Sequence, residues 1–166
     1  MSQLLDVPVG QEWTPEALEA LPAVHKYEVR EGNLVVMNAA MRLFHSRTQT
    51  RITVLLGDLA YAETGIDLGP RELRTCDVGV FHEQPSEDQA YWPPEAFRLV
   101  VEIISPSTER EDRNVKPLLY AEAGIPEFWM VEETEHGEAL VHRYELRDGV
   151  YEPIGEPVLL AELELE

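Results

Sequence analysis

Leu99, Val100, Val101, Ile103 and Ile104 form an apolar, mostly β-branched run that Pro106 stops, and this predicts a buried strand over 99–104. Glu102 stands in its midst. An unpaired buried charge costs on the order of several kcal/mol even after relaxation. The pattern therefore demands a compensating group.

The same patterning lays out the rest of the chain. Thr14 before Pro15, with Ala17, Leu18 and Leu21 following, predicts a short capped helix. YEVREGNLVVMN reads as strands Tyr27–Arg30 and Leu34–Met37 around a Glu31-Gly32-Asn33 turn. Ile52, Leu55, Leu56 and Leu59 recur at i, i+3, i+4 and i+7, which predicts a long amphipathic helix from Leu43 to Glu63 with Gly65 as its stop. LRTCDVGVF (73–81) predicts a strand with Cys76, Val78 and Val80 on one face and Asp77, Gly79 and Phe81 on the other. HEQPSEDQAYWPPEAF (82–97) is too long for an ordinary connection, and its aromatics predict that it orders against its own chain or a second subunit. A short helix over Val115–Ala123 follows, with Asn114 as cap, Pro117 in the first turn and Gly124 as stop. Glu127–Glu132 predicts a strand, Ala139–Leu146 and Val150–Ile154 a hairpin, and Val158–Leu165 a last alternating strand. This order implies α/β or α+β with a mixed sheet flanked by helices, an added N-terminal hairpin and C-terminal strands. No internal repeat or linker divides the chain, so residues 1–166 are expected to form one domain.

Composition narrows the function classes. Hydrophobic residues make up 44% of the chain, which excludes disorder. The one cysteine, Cys76, excludes an internal disulfide and fits a reducing compartment. The acidic start MSQLLDVPVGQEW is no secretory signal, and no run approaches the roughly 18 apolar residues of a membrane span. A cytoplasmic protein without membrane association is the expectation. The net charge of −19 argues against nucleic-acid binding by general attraction, while favouring divalent-cation recruitment. The net charge leaves room for a local basic patch; MRLFHSRTQTR supplies Arg42, His45, Arg47 and Arg51, which taken alone read first as a solvated helix face.

Asp77 and Glu102 are the two acids embedded in strands with apolar neighbours. On adjacent strands both carboxylates would point from one sheet face and repel each other, raising one pKa. Mg²⁺ or Mn²⁺, hard ions that take one or two carboxylates and keep several waters, would relieve that repulsion. Alternatively, Glu102 faces solvent on one side of a half-covered sheet or pairs with a buried Arg. Other chemistries find less support. The five histidines lack zinc spacing, no Gly-rich phosphate loop is present, and Ser105 and Ser107 lack a nucleophile elbow. Cys76 alternates with valines as a core residue, and Trp92 and Trp129 suit core or interface.

YEVREGNLVVMN, His45 opening a helix, CDVGVF, LVVEIISPST, Lys116 and YAEAGIPEFWMV, in that order, resemble the Uma-type family of restriction-endonuclease-like proteins, within the PD-(D/E)XK nuclease superfamily. The resemblance spans residues 21–163. It implies a restriction-endonuclease-like domain in which Asp77 and Glu102 bind Mg²⁺ or Mn²⁺. By the same resemblance Glu28 is a further metal or water ligand and His45 touches phosphate or positions water. The superfamily lysine, two residues after the glutamate, is replaced here by Ile104, and Lys116 is the candidate substitute from the next helix.

Two functions follow from this. One is a metal-dependent endonuclease, with Asp77, Glu102, Lys116, Glu28 and His45 at the reaction centre. DNA would be admitted by a local basic cleft of Arg42, Arg47 and Arg51, in a two-fold homodimer. The other is a catalytically degenerate nuclease fold acting as a protein-interaction module, which the net charge and the missing strand lysine favour.

Overall fold

Glu31 and Gly32 both adopt positive φ (52° and 84°), which turns the chain tightly between β1 (Lys26–Arg30) and β2 (Asn33–Met37). The computed structural model describes residues 12–23, 25–37 and 41–165; the acidic segment at residues 1–11 lies outside them. Before the hairpin, α1 (Pro15–Glu19) is capped as expected, with Thr14 Oγ1 accepting from the Ala17 N–H at 3.2 Å. Trp13 and Leu18 then pack on Tyr27, Val29 and Leu73, fastening α1 to the hairpin.

α2 (Leu43–Leu56) is shorter than its periodicity predicts. Gly57, at φ 84°, ends it, and residues expected to continue it form β3 (Ala60–Asp67). Ile52, Leu55, Leu56 and Leu59 do pack on one core, but across a helix, a turn and a strand entry. Pairing decides the matter: β3 runs antiparallel to β4 (Leu73–Phe81) from Ala60↔Val80 to Asp67↔Leu73, which outweighs local helix propensity. Gly65 is therefore a strand residue rather than a stop. A Cβ there would lie 2.3 Å from Ala90 O, so only glycine lets β5 (Tyr91–Trp92) pair alongside.

The 82–97 segment orders against its own chain. Trp92 meets Phe81 edge-on at 5.1 Å between ring centroids, the Tyr91 hydroxyl donates to Tyr27 O, and a 3₁₀ turn at Pro94–Ala96 leads into β6 (Phe97–Ile103). After β6 a π-helical turn, Glu111–Val115, runs directly into α3 (Lys116–Glu122). The expected Asn114 cap is absent because the helix has already begun; Gly124, at φ 80°, follows its end. β7 (Glu127–Glu133) lies parallel to β6, and β8 (Ala139–Arg147) turns through Asp148-Gly149 into β9 (Val150–Pro153). The last apolar segment is only briefly a strand, β10 (Val158–Leu159), before α4 (Leu160–Leu163) buries Leu160 and Leu163.

The ten strands among the described residues make one mixed sheet in the order β10-β8-β7-β6-β4-β1-β2, with β3 branching from β4, β5 from β3 and β9 from β8. Alternation along β6 sends Leu99, Val101 and Ile103 to a core with α2 and α4, and Val100 to a second core with Tyr120 of α3. Helices on both faces make this the expected α/β architecture. No helix among the described residues is long and apolar enough to cross a membrane.

Candidate metal and nucleic-acid site

Strand alternation fails at Asp77. Val78 and Val80 enter the α2 core, yet Cys76 enters the α3 core, so the three do not share a face as their spacing suggests. The β3–β4 register passes from Ala62↔Val78 to Thr64↔Cys76 without pairing Glu63 and Asp77, and Glu63 has φ 56°. This irregularity re-aims Asp77. Its Oδ2 accepts from the Ile103 N–H at 2.6 Å, tying β4 to β6 beyond their last inner pair, Val78↔Val101. Its Oδ1 lies 3.1 Å from His45 Nε2, and its carbonyl accepts from Gln49 Nε2 at 2.8 Å. Burial disfavours the charged imidazolium, but the hydrogen bond and charge of Asp77, with Glu63, outweigh it and raise the His45 pKa. His45 Nδ1 is buried without a partner among the described residues.

Glu102 is 1% exposed, and its compensating groups come from the helix that follows β6. Tyr120 donates its hydroxyl to Oε1 at 2.6 Å, and Lys116 Nζ donates to Oε2 at 2.9 Å. Lys116 also donates to Thr75 O at 2.9 Å, with Asp112 Oδ1 at 3.5 Å and Glu28 Oε1 at 3.9 Å. Burial pushes the Glu102 carboxyl well above its usual range; Asp77 and Asp112 add to the push, and Lys116 and Tyr120 oppose it. Burial also raises Asp112. Lys116 itself is held well above the ordinary lysine value: burial disfavours its charge, but Glu102, Glu28 and Asp112 prevail. The site is a cluster of carboxylates gathered around one buried ammonium.

Glu28 is fully buried and lies to one side. Arg30 Nε donates to its Oε2 at 2.9 Å, Thr75 N donates to its Oε1 at 3.0 Å, and Arg74 Nη1 stands 3.5 Å away. Burial raises its pKa, but Lys116, Arg30 and the Thr75 N–H together bring it below the carboxylate norm.

Asp77, Glu102, His45, Lys116 and Arg42 all line one cavity of about 590 Å³. Glu28 does not line it, Arg47 is exposed on α2, and Arg51 is engaged by Glu164 at 2.6 Å. The cations that join Arg42 at the cavity are Lys26 and Arg30, which the basic helix pattern missed. Lys26 and Lys116 are the chain's only lysines, and both face this cavity. Its wall sets four cations (Lys26, Arg30, Arg42, Lys116) against five carboxylates (Glu63, Asp77, Glu102, Glu111, Asp112), near balance in a chain of net charge −19. Asp112 and Tyr120 were also missed. Their signal was the 112/116/120 spacing, which places them with Lys116 on one helix face.

Among the described residues no group of three or more His, Cys, Asp or Glu side chains is arranged to hold a metal ion. Two carboxylates with water do suit Mg²⁺ or Mn²⁺. Asp77 and Glu102 both reach the cavity; burial is the main cause that raises Glu102, and the repulsion that Asp77 and Asp112 add to it is the part a divalent ion would relieve. The donor set therefore fits such an ion.

Among solved structures, the chain is similar to a "putative nuclease belonging to DUF820" from Anabaena variabilis ATCC 29413, at 17% identity and a TM-score of 0.64, over 92% of this chain and 98% of that one. At that identity the likeness establishes the fold. No curated protein matches. A family model, Uma2, described as "Putative restriction endonuclease", matches residues 15–166. With nearly the whole chain matched, from α1 through α4, the protein belongs to the Uma2 family.

Proposed function

We propose that the protein is a divalent-metal-dependent endonuclease that hydrolyses phosphodiester bonds in DNA. The observation that carries this reading is the Lys116 ammonium lying on Glu102 at 2.9 Å, although Ile104 occupies the strand position of the superfamily lysine. In this reading Asp77 and Glu102 hold Mg²⁺ or Mn²⁺. When bound, such an ion supplies a nucleophilic hydroxide at neutral pH and charge neutralisation at the phosphoryl group. The protein's side chains do the positioning. Tyr120 and the Ile103 N–H orient the two carboxylates. His45 holds the Asp77 rotamer, and Lys116 stabilises negative charge developing on the phosphate oxygens. Glu28, already committed to Arg30 and Thr75, acts on Lys116 rather than on the metal. Lys26, Arg30 and Arg42 give the DNA backbone its local cationic approach.

The test is cleavage of plasmid and single-stranded DNA with Mg²⁺, Mn²⁺ or chelator. The native protein is expected to cut only with metal. Glu102→Gln and Lys116→Met are expected to be inactive, each falling by at least about 100-fold. Metal-independent cutting, or full activity in either variant, defeats the reading.

A second reading is favoured by the completeness of the ion-pair network: Lys116 and Tyr120 already engage both oxygens of Glu102. A degenerate nuclease fold acting through protein contacts would keep such a network for stability alone. Failure of either ion to bind or to alter melting would support this reading.

A further inference from the structure

We infer that Lys116 is the resident counter-ion of the acidic cluster and competes with a divalent cation for Glu102, so that metal binding and release of this lysine are one coupled event. This rests on the assignment of Asp77 and Glu102 as the metal-holding pair.

The argument begins with where the ammonium sits. Lys116 is 6% exposed, a rare situation for a residue that is ordinarily at the surface. Its Nζ is shared among Glu102 at 2.9 Å, the Thr75 carbonyl at 2.9 Å, Asp112 at 3.5 Å and Glu28 at 3.9 Å. That is the ligand chemistry of a cation site: carboxylate and carbonyl oxygens converging on one positive centre. The helix geometry makes the placement rigid. The π-helical turn Glu111–Val115 precedes Lys116, and Pro117 follows it, so the backbone that aims the side chain has little freedom.

Lys116 occupies Oε2 of Glu102 and Tyr120 occupies Oε1, so a divalent ion held by Glu102 would either cost the ammonium its shortest carboxylate contact or add a second positive charge to the same buried site. Either outcome would make the two cations antagonistic. The neighbours give the displaced lysine somewhere to go: Asp112 also lines the cavity and stands one turn before it on the same helix. Lys116 then leaves Glu102 while remaining at the cavity wall. A lysine freed only when the ion is present is armed for phosphate only in the loaded site.

Calorimetric titration of the chelator-stripped full chain with MnCl₂ tests the coupling. Lys116→Met is expected to bind Mn²⁺ at least about fivefold more tightly than the native protein, the lower end of ordinary coupling between sites. Glu102→Gln, and Glu102→Gln combined with Lys116→Met, are expected to lose the binding. Equal or weaker Mn²⁺ affinity in folded Lys116→Met overturns the competition while leaving the metal site standing. Absence of binding in both native and Lys116→Met overturns the competition and the metal reading together. Should Lys116→Met fail to fold, lysine acylation of the native protein, read by mass spectrometry, decides. Mg²⁺ is then expected to speed modification of Lys116 relative to Lys26, and an unchanged ratio overturns the proposal.

Discussion

Glu28 and Glu102 are both buried carboxylates a few residues of space from Lys116, yet their environments push them in opposite directions. Burial pushes both carboxyls up; at Glu28, Lys116, Arg30 and the Thr75 N–H outweigh it and the pKa falls, whereas at Glu102 burial, joined by Asp77 and Asp112, outweighs Lys116 and Tyr120 and the pKa rises. For Glu28 the folded value lies below the unfolded 4.5, so its stabilisation is complete above that pH and disappears as pH falls through the folded value. Glu28→Gln is expected to cost about 3–5 kcal/mol at neutral pH, because Arg30 and Arg74 lose their buried partner. Urea unfolding of both proteins from about pH 7 down to about pH 3 should show the gap narrowing at the acid end. A gap independent of pH would show that packing, not charge, is lost. Glu102→Gln is expected to behave differently. The amide keeps the shape, and Lys116 retains Thr75 O and Asp112, so the metal-free variant should lie within about 1–2 kcal/mol of native. Any rise in melting temperature with Mn²⁺ should vanish in it. A much larger loss in the metal-free state would make Glu102 chiefly structural.

At the scale of elements, three departures from regular structure set the path of the chain, the first two of them at the site. The unpaired Glu63/Asp77 position re-aims Asp77, the π-helical turn starts the helix early enough to bring Asp112 under Lys116, and Gly65 admits β5. The last is open to a direct test. Gly65→Ala places a methyl 2.3 Å from Ala90 O and 2.6 Å from the Tyr91 ring. Neither can yield without breaking the β3–β5 pair, so destabilisation of about 1–3 kcal/mol or more is expected in thermal melts. Hydrogen exchange should then report early opening confined to the 82–97 segment. Native-like exchange there would show that β5 is not held by that pairing. The aromatics of this segment are occupied by Phe81 and Tyr27, so they need no second subunit to cover them.

Over the whole molecule, charge sets the terms for any DNA partner. A chain of net charge −19 repels a polyanion, and among the described residues the cavity offers only Lys26, Arg30, Arg42 and Lys116, each already ion-paired. Association is therefore expected to be weak without divalent ions. Its logarithmic salt slope on duplex DNA should be no steeper than about −3.6, the value for complete neutralisation by four cations. Fluorescence anisotropy with a labelled oligonucleotide across a salt series measures the slope. A steeper one would place the contact surface outside this cavity.

Sequence patterning by itself determined the hairpin, β4, β6, β7 and the β8–β9 pair, because each carries its own alternation and turn residues. It also singled out Asp77 and Glu102, since a carboxylate inside an apolar strand breaks the pattern wherever the strand ends up. Tertiary structure decided the rest. Ala60 to Glu63 is locally compatible with a continuing helix, and only β4 alongside makes it the start of β3. Cys76 changed face because a pairing was skipped, which no periodicity records. Arg51 was a plausible DNA contact until Glu164, distant in sequence, claimed it, while Lys26 and Arg30 reached the cavity from a hairpin with no basic pattern. Local pattern reports which face of an element is apolar. Which charge finds which partner depends on contacts between residues far apart in the chain, and those exist only once the sheet has assembled.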